Sequence, residues 1–315
     1  MHPCLCLARG PCFEGRVSLV YTLRQGWFSV FLQLATGGLL LGCIYGLVAM
    51  GLSLIYGVMG IVNFAHGSFV MLAMYASFWL YKLMGLDPVL GAPLVALLMF
   101  AFGVLVYRTI IGKVLQGPFL ARLLVTFGLG IFFVNLAQFL WSPDYRMVQK
   151  SIAHGIIMLG PVFVELPKLV ASAGSLLVAA LIYWFVRKTK TGLAIQAISI
   201  DRSAAALMGI DIERLNAFAF GLGCACAGAA GAFLASFYYI FPDVGTMFGL
   251  VALVAVALGG FGSTEGALIG AIIIGIIETV GGFIVGSEYK YALVFLTYLL
   301  VVIVRPRGLM GWGAD

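Results

Sequence analysis

Residues 25–81 read QGWFSVFLQLATGGLLLGCIYGLVAMGLSLIYGVMGIVNFAHGSFVMLAMYASFWLY and contain no Asp, Glu, Lys or Arg. A bilayer core takes about 20 apolar residues per helical crossing, so a run of this length is two crossings. The first, about Ser29 to Tyr56, carries Gly38, Gly42 and Gly46 four residues apart. Such a stripe of small residues on one helix face lets a second helix approach closely. The second crossing starts near Phe64 and ends near Lys82. Between them, residues 57–66 hold Gly57, Gly60, Asn63 and His66, which interrupt the apolar run. Irregular backbone at membrane depth survives only when it is buried in protein or faces a water-filled path. Asn63, His66 and Gly67 are therefore expected on a translocation pathway, with His66 capping the broken helix.

The rest of the composition agrees with a membrane solvent. The chain is 63% hydrophobic and 10% charged, with a mean hydropathy of +1.12, against about 25% charged in a soluble domain. The net charge of +6 is no sign of nucleic acid, because the basic residues sit in short clusters between apolar spans, where they set orientation. The 41 glycines favour close helix packing. Six cysteines form no CxxC pair and no metal spacing. Cys4, Cys6 and Cys12 lie near the N-terminus, while Cys43, Cys224 and Cys226 lie in apolar segments and read as small hydrophobes. Neither a disulfide nor a metal is expected.

Further spans follow the same logic. Pro88 to Tyr107 is closed by Arg108 and Lys113, and Leu123 to Pro143 follows Arg122. Residues 144–168 are mixed in charge and rich in proline, and read as an external loop with a hairpin or half-helix through Ile156 to Val164. Leu169 to Val186 leads into the longest polar stretch, 187–214, and Leu215 to Tyr239 leads out as a crowded, Ala- and Gly-lined central helix with Gly228 and Gly231 available for packing. Thr246 to Leu258 is short, and residues 259–266 (GGFGSTEG) break it before Ala267 to Val285 resumes. That break is either two half-helices meeting at a substrate path or a tight cytoplasmic turn. Tyr289 to Val304 is the last crossing. The fold class is an all-α polytopic membrane protein of 8–9 transmembrane helices, broken near 57–66 and 259–266. Residues 25–308 form one membrane domain. Residues 1–24 match nothing that follows and read as a tail or as a start assigned too far upstream; 309–315 form a C-terminal tail.

Placing Arg108, Lys113 and Arg122, then residues 187–214, then Arg305 and Arg307 on one side gives a consistent cytoplasmic face. The C-terminus is then cytoplasmic, and 144–168 and Tyr239 to Gly245 are external. Counting Thr246 to Leu258 as a crossing puts the N-terminus outside, against Arg9, Arg16 and Arg24. Within the cytoplasmic stretch, Leu193, Ala197, Ile200, Ala204, Leu207 and Met208 fall close to helical spacing, opposite Gln196, Ser199 and Ser203. This predicts an amphipathic surface helix, with Asp201 as N-cap of its second half and Gly209 as its left-handed stop.

The sequence holds no phosphate-binding Gly-x-x-x-x-Gly-Lys-Ser/Thr loop, so the chain is not its own ATPase. Gly221-x-Gly223 lacks the third glycine and preceding strand of a dinucleotide loop. A Ser/His/Asp hydrolase would rest on His66 alone, since His2 and His154 lie outside the apolar spans. Glu278, mid-span in an apolar helix, is either a pathway residue or a structural hydrogen-bond partner. Asn135 and Gln138 read as interhelical hydrogen-bond partners.

Residues 42–69 (GCIYGLVAMGLSLIYGVMGIVNFAHGSF), the stretch Gly192 to Ile210, and 258–267 (LGGFGSTEGA) together resemble the permease subunits of bacterial branched-chain amino-acid ABC importers, a family that also includes urea and short-chain amide importers. The chain looks like the shorter of the two permeases, over roughly Phe28 to Arg307. It departs from the pattern at 1–24 and at Ser68, where an acidic residue is common. The resemblance implies an inner-membrane subunit paired with a second homologous permease, two cytoplasmic ATPases that carry the ATP and Mg, and a periplasmic binding protein. It also implies that Gly192, Asp201, Arg202, Ala205, Ala206 and Gly209 belong to a helix that docks into an ATPase, with Ala205, Ala206 and Gly209 matching the family core. The competing class is an ion-coupled secondary carrier using Glu278; a purely structural subunit is a third reading.

Overall fold

A computed structural model describes residues 27–149, 151–152, 155–159, 162–305 and 308–310. The expected tail 1–24, His154, Arg307 and most of 309–315 lie outside the described residues. The described chain is helical apart from one β-hairpin. Helix α1 spans Trp27–Met59, α2 His66–Met84, and α3 Pro88–Val106, which runs on through a π-turn to Val114. Helix α4 spans Phe119–Trp141. Strands β1 (Ile156–Leu159) and β2 (Val162–Glu165) pair antiparallel, and α5 is Leu166–Lys188. Two short helices, α6 (Lys190–Ile200) and α7 (Arg202–Leu207), precede α8 (Ile212–Ala235), α9 (Val244–Gly259), α10 (Thr264–Val285) and α11 (Lys290–Val304).

Seven helices among the described residues are long and apolar enough to cross a membrane, and α9, at 16 residues, is shorter. Helix α2 has the length, with His66, Ser68, Ser77 and Lys82 among its 19 residues. The chain is thus an all-α polytopic membrane protein. Its helix ends follow local chemistry. Gly85, at φ +66°, stops α2, and its amide donates to Tyr81. The Asp87 carboxylate accepts from Val89 at the start of α3, where Pro88 takes the first turn without needing an N–H donor.

The bundle is assembled on glycine contacts. Along α1, Gly38, Gly42 and Gly46 meet Gly275, Ile272 and Leu268 of the antiparallel helix α10. A Cβ built on Gly42 would lie 2.7 Å from the Ile272 Cα. Helix α8 is buried along most of its length. Its Gly228 abuts Met99 and Ala96 of α3, and its Gly231 abuts Val70 and Ala73 of α2. With no hydrophobic drive between helices in lipid, such close approach gathers the dispersion contacts that hold them together. The outward faces carry Leu83, Phe139, Trp184 and Ile303, all well exposed, as a lipid-facing surface requires.

The two predicted breaks have different geometries. At 259–266 the chain makes a tight turn: Gly259 packs on Gly266 and Gly270 on Ala255, so α9 and α10 form an antiparallel hairpin and not two half-helices in line. Ser263 caps α10 through the Gly266 amide. Residues 308–310 fold back on this turn, where the Leu309 and Met310 amides donate to Leu258 and Gly259. The break between α1 and α2, residues 60–65, lies inside the bundle. Gly51 of α1 touches both Gly223, midway along α8, and the His66 ring, so α2 begins near mid-height. At the opposite end from the α9–α10 turn, the predicted external loop is the β-hairpin, tied to α1 by Gln33, whose amide both donates to and accepts from Phe163. Helix α5 already starts at Leu166, three residues before the predicted span.

Replacing Gly42 by Leu should force α1 and α10 apart and destabilise the fold by about 1–3 kcal/mol, as overpacking does. Gly128 of α4 has nothing within 4 Å of its would-be Cβ, and Gly128→Leu should leave stability unchanged. Thermal unfolding of the two variants in detergent, followed by size-exclusion chromatography, checks the contrast; equal melting would refute the packing assignment.

Candidate functional site

Two helices begin inside the bundle, and their first turns touch. A Cβ on Gly67 of α2 would clash with the Gly245 carbonyl oxygen of α9, and one on Gly245 would clash with that of Gly67. Gly249, one turn along α9, also meets Gly67. Beside this crossing, between α2, α4, α9 and Leu52 of α1, lies a cavity of about 370 Å³. Its walls are mainly apolar and include Val62, Phe127, Ile131, Val134, Leu250 and Leu253. Five polar side chains interrupt them: Asn63, Ser68, Asn135, Asp243 and Thr246. Asp243 is the one charged residue among those that line it. A mostly apolar pocket with a few convergent polar groups is the usual form of a small-molecule site.

The polar groups are held in distinct ways. The Asn63 side-chain oxygen accepts from the Ala65 amide at 3.1 Å and shapes the entry to α2. Asn63 is 2% exposed, and its Nδ2 has no hydrogen-bond partner. Ser68 donates to the Gly130 carbonyl, tying α2 to α4, and Asn135 donates to Ile131 on its own helix. Asp243 occupies the N-cap position of α9 without capping it through its side chain. Its carboxylate accepts instead from Thr246 Oγ1 at 2.6 Å.

The sequence-predicted pathway residues separate here. Asn63 and Gly67 line the cavity. His66 sits behind it, 1% exposed, with Nε2 donating to the Val48 carbonyl at 3.1 Å. It therefore anchors α2 to α1 and does not provide the cap expected of it; α2 starts after Ala65 with no side-chain cap. Glu278 lies away from the cavity on α10, 3% exposed, and its Oε1 accepts from Lys290 Nζ at 3.0 Å. Asp243 and Thr246 were not singled out in the sequence; the signal was an acid immediately before a short apolar run, the position of a helix N-cap. Among the described residues no group of three His, Cys, Asp or Glu is placed to hold a metal.

At the basic end, residues 187–214 form two helices with a bend at Asp201. Asp201 Oδ1 accepts from the amides of Ser203 and Ala204, a cap worth about 1 kcal/mol, and Gly209 closes α7 at φ +78°. Gly192 packs on the Phe185 and Val186 backbone, which lets α6 fold sharply back on α5. The inward face is Ile195, Ile198 and Ala205. Leu193, Ile200, Leu207 and Met208, from the apolar stripe of the sequence pattern, point outward, with Leu207 89% and Met208 83% exposed. Arg202 and Ala206 are exposed beside them. An ion pair between Arg187 and Glu265 joins this surface to the α9–α10 turn.

Comparison with known proteins places these features in one family. Residues 34–304 match the family model for the branched-chain amino acid transport system / permease component. The chain is 32% identical over 301 residues to the high-affinity branched-chain amino acid transport system permease protein LivH of Escherichia coli (strain K12), covering 90% of this chain and 96% of that protein. It is 29% identical over 294 residues to BraD of Pseudomonas aeruginosa, covering 89% and 96%. Identity to the probable LivH of Methanocaldococcus jannaschii is 27% over 288 residues, covering 84% and 88%. The match runs through the buried break at 60–65, the turn at 259–266, the cavity-lining helices and the surface helices of the basic end, and the chain belongs to the branched-chain amino acid transport system permease family.

Proposed function

We propose that this transport subunit carries branched-chain or other hydrophobic amino acids through the bacterial inner membrane, as one of two homologous permeases driven by two cytoplasmic ATPases. A periplasmic binding protein delivers the substrate at the hairpin end. The basic end and the C-terminus face the cytoplasm, where the positive-inside rule puts them. The observation that carries this reading is the family match across 34–304. The amino-acid reading is preferred over urea or a short-chain amide because the relatives matched over most of their length are named for branched-chain amino acids.

The surface helices supply the coupling. Exposed Leu207 and Met208 beside Arg202 make an apolar face with a charged edge, suited to a protein groove and out of place in water. Motion imposed there reaches α9 through the Arg187–Glu265 pair, and the start of α9 forms a cavity wall. The ion-coupled carrier reading loses its site, since Glu278 is already paired with Lys290.

Three outcomes follow. Co-expressed with its neighbouring genes and reconstituted in proteoliposomes, the complex should take up leucine only with both binding protein outside and ATP inside; uptake by the single chain under a proton or sodium gradient would overturn the assignment. Ala206→Asp should abolish uptake while leaving membrane insertion intact, because Ala206 is exposed; Gly209→Trp should do the same, with added strain at the left-handed stop of α7; normal uptake in either would remove the coupling role. A fluorescent protein fused after Asp315 should light up in intact cells, and a phosphatase fused there should stay inactive.

A further inference from the structure

The cavity's charge is unbalanced. Asp243 is its one charged lining residue and takes part in no ion pair among the described residues. It stands immediately before α9, where that helix meets the start of α2. Its side chain is exposed, three residues from Ile240, which bridges to Arg146 in the loop after α4, so the carboxylate stands at the open side of the cavity. Its one recorded hydrogen bond, from Thr246, is neutral, and its side chain does no helix capping that would explain its presence. Across the Gly67–Gly245 crossing lies the opposite deficit: Asn63 is buried at the wall with an amide hydrogen-bond donor that nothing accepts. It stands just ahead of α2, whose N-terminal end carries partial positive charge and favours an anion. A missing cation at one side of an apolar cavity and a missing acceptor at the other are the complement of a zwitterion with an apolar side chain.

Resting on the importer reading above, we infer that this cavity is a transient subsite for the α-amino-acid group, in which Asp243 holds the substrate ammonium. The first turn of α2 receives the carboxylate, with Asn63 Nδ2, buried beneath the cavity lining, turning out to join it. Phe127, Val134, Leu250 and Leu253 surround the side chain. The permease thereby selects a zwitterion itself, in addition to whatever the binding protein selects, and a neutral urea or amide would leave Asp243 unpaired.

The test uses the complete importer in proteoliposomes, with Asp243→Asn and Asp243→Glu. Asp243→Asn keeps an acceptor for Thr246 and removes only the charge. Leucine uptake should fall by about tenfold or more in Asp243→Asn, with assembly and ATPase turnover retained, and stay within about threefold of the parent in Asp243→Glu. Uptake unchanged in Asp243→Asn, or lost equally in both variants, overturns the ammonium site. If Asp243→Asn does not assemble, carbodiimide coupling to the unaltered complex decides: leucine should protect Asp243, and absence of protection overturns the site. Failure of the unaltered complex to move leucine, with uptake of urea or acetamide instead, is a separate result that overturns the substrate reading on which this inference rests.

Discussion

The backbone contact between Gly67 and Gly245 sets the architecture. Two helix starts touching through their carbonyl oxygens, with no room for a Cβ on either, is possible only for glycine, and it allows α2 and α9 to begin inside the bundle. A helix that begins there brings its first turn, its cap residues and a stretch of non-helical chain to membrane depth. Hydrocarbon would not tolerate any of these. They are sheltered by α4 and α8, through Ser68 on Gly130, Gly231 on Val70, and His66 on Val48 of α1. The polar lining of the cavity is a consequence of this contact: Asn63 and Asp243 each stand just before a helix that the glycine pair holds in place.

The same pair joins the cavity to the distant basic end. Helix α9 is a short rod with its first turn on the cavity and its last against the Gly260–Ser263 turn. That turn is gripped from three sides: by Gly266 of α10, by the returning segment 308–310, and by Arg187 through Glu265. Arg187 sits in the last turn of α5, immediately ahead of the sharp fold at Gly192 that launches the surface helices. Packed interiors move as rigid pieces more readily than they deform. A displacement of α6 and α7 has a contiguous route to the wall that holds Asp243, along one helix and one ion pair.

Much of this was legible in the sequence where a chemical impossibility marked it. Asn63 and His66 inside an apolar run, and the short apolar stretch Thr246 to Leu258 where about twenty residues are needed to cross, declare interrupted helices whatever the fold. The stripe Gly38, Gly42 and Gly46 declares a close neighbour but does not name it as α10. Three things stayed hidden because they depend on elements distant in sequence. Asp243 reads as an ordinary loop acid until α2 and α4 close a cavity around it. Glu278 reads as an isolated intramembrane acid until the turn before α11 swings Lys290 onto it, twelve residues on. The turn at 259–266 and a pair of half-helices share one glycine-rich sequence, and only the antiparallel packing of Gly259 on Gly266 separates them.

The surface helices show that periodicity can identify a face without telling which chain covers it. Leu193, Ile200, Leu207 and Met208 have the spacing of residues that turn toward a core, yet the core is met by Gly192, Ile195, Ile198 and Ala205. The bend at Asp201 separates the two short helices, so a stripe continuous in the sequence spans two rods that each need only a narrow inner edge. What remains outside is apolar, at the one end of the molecule where Arg108, Lys113, Arg122 and Arg214 place water and not lipid beside it. Hydrophobic spacing reports that a side chain is to be covered; it does not report by which chain. Leu207 and Met208, the most exposed apolar residues of this end, are accounted for when the covering chain is an ATPase partner.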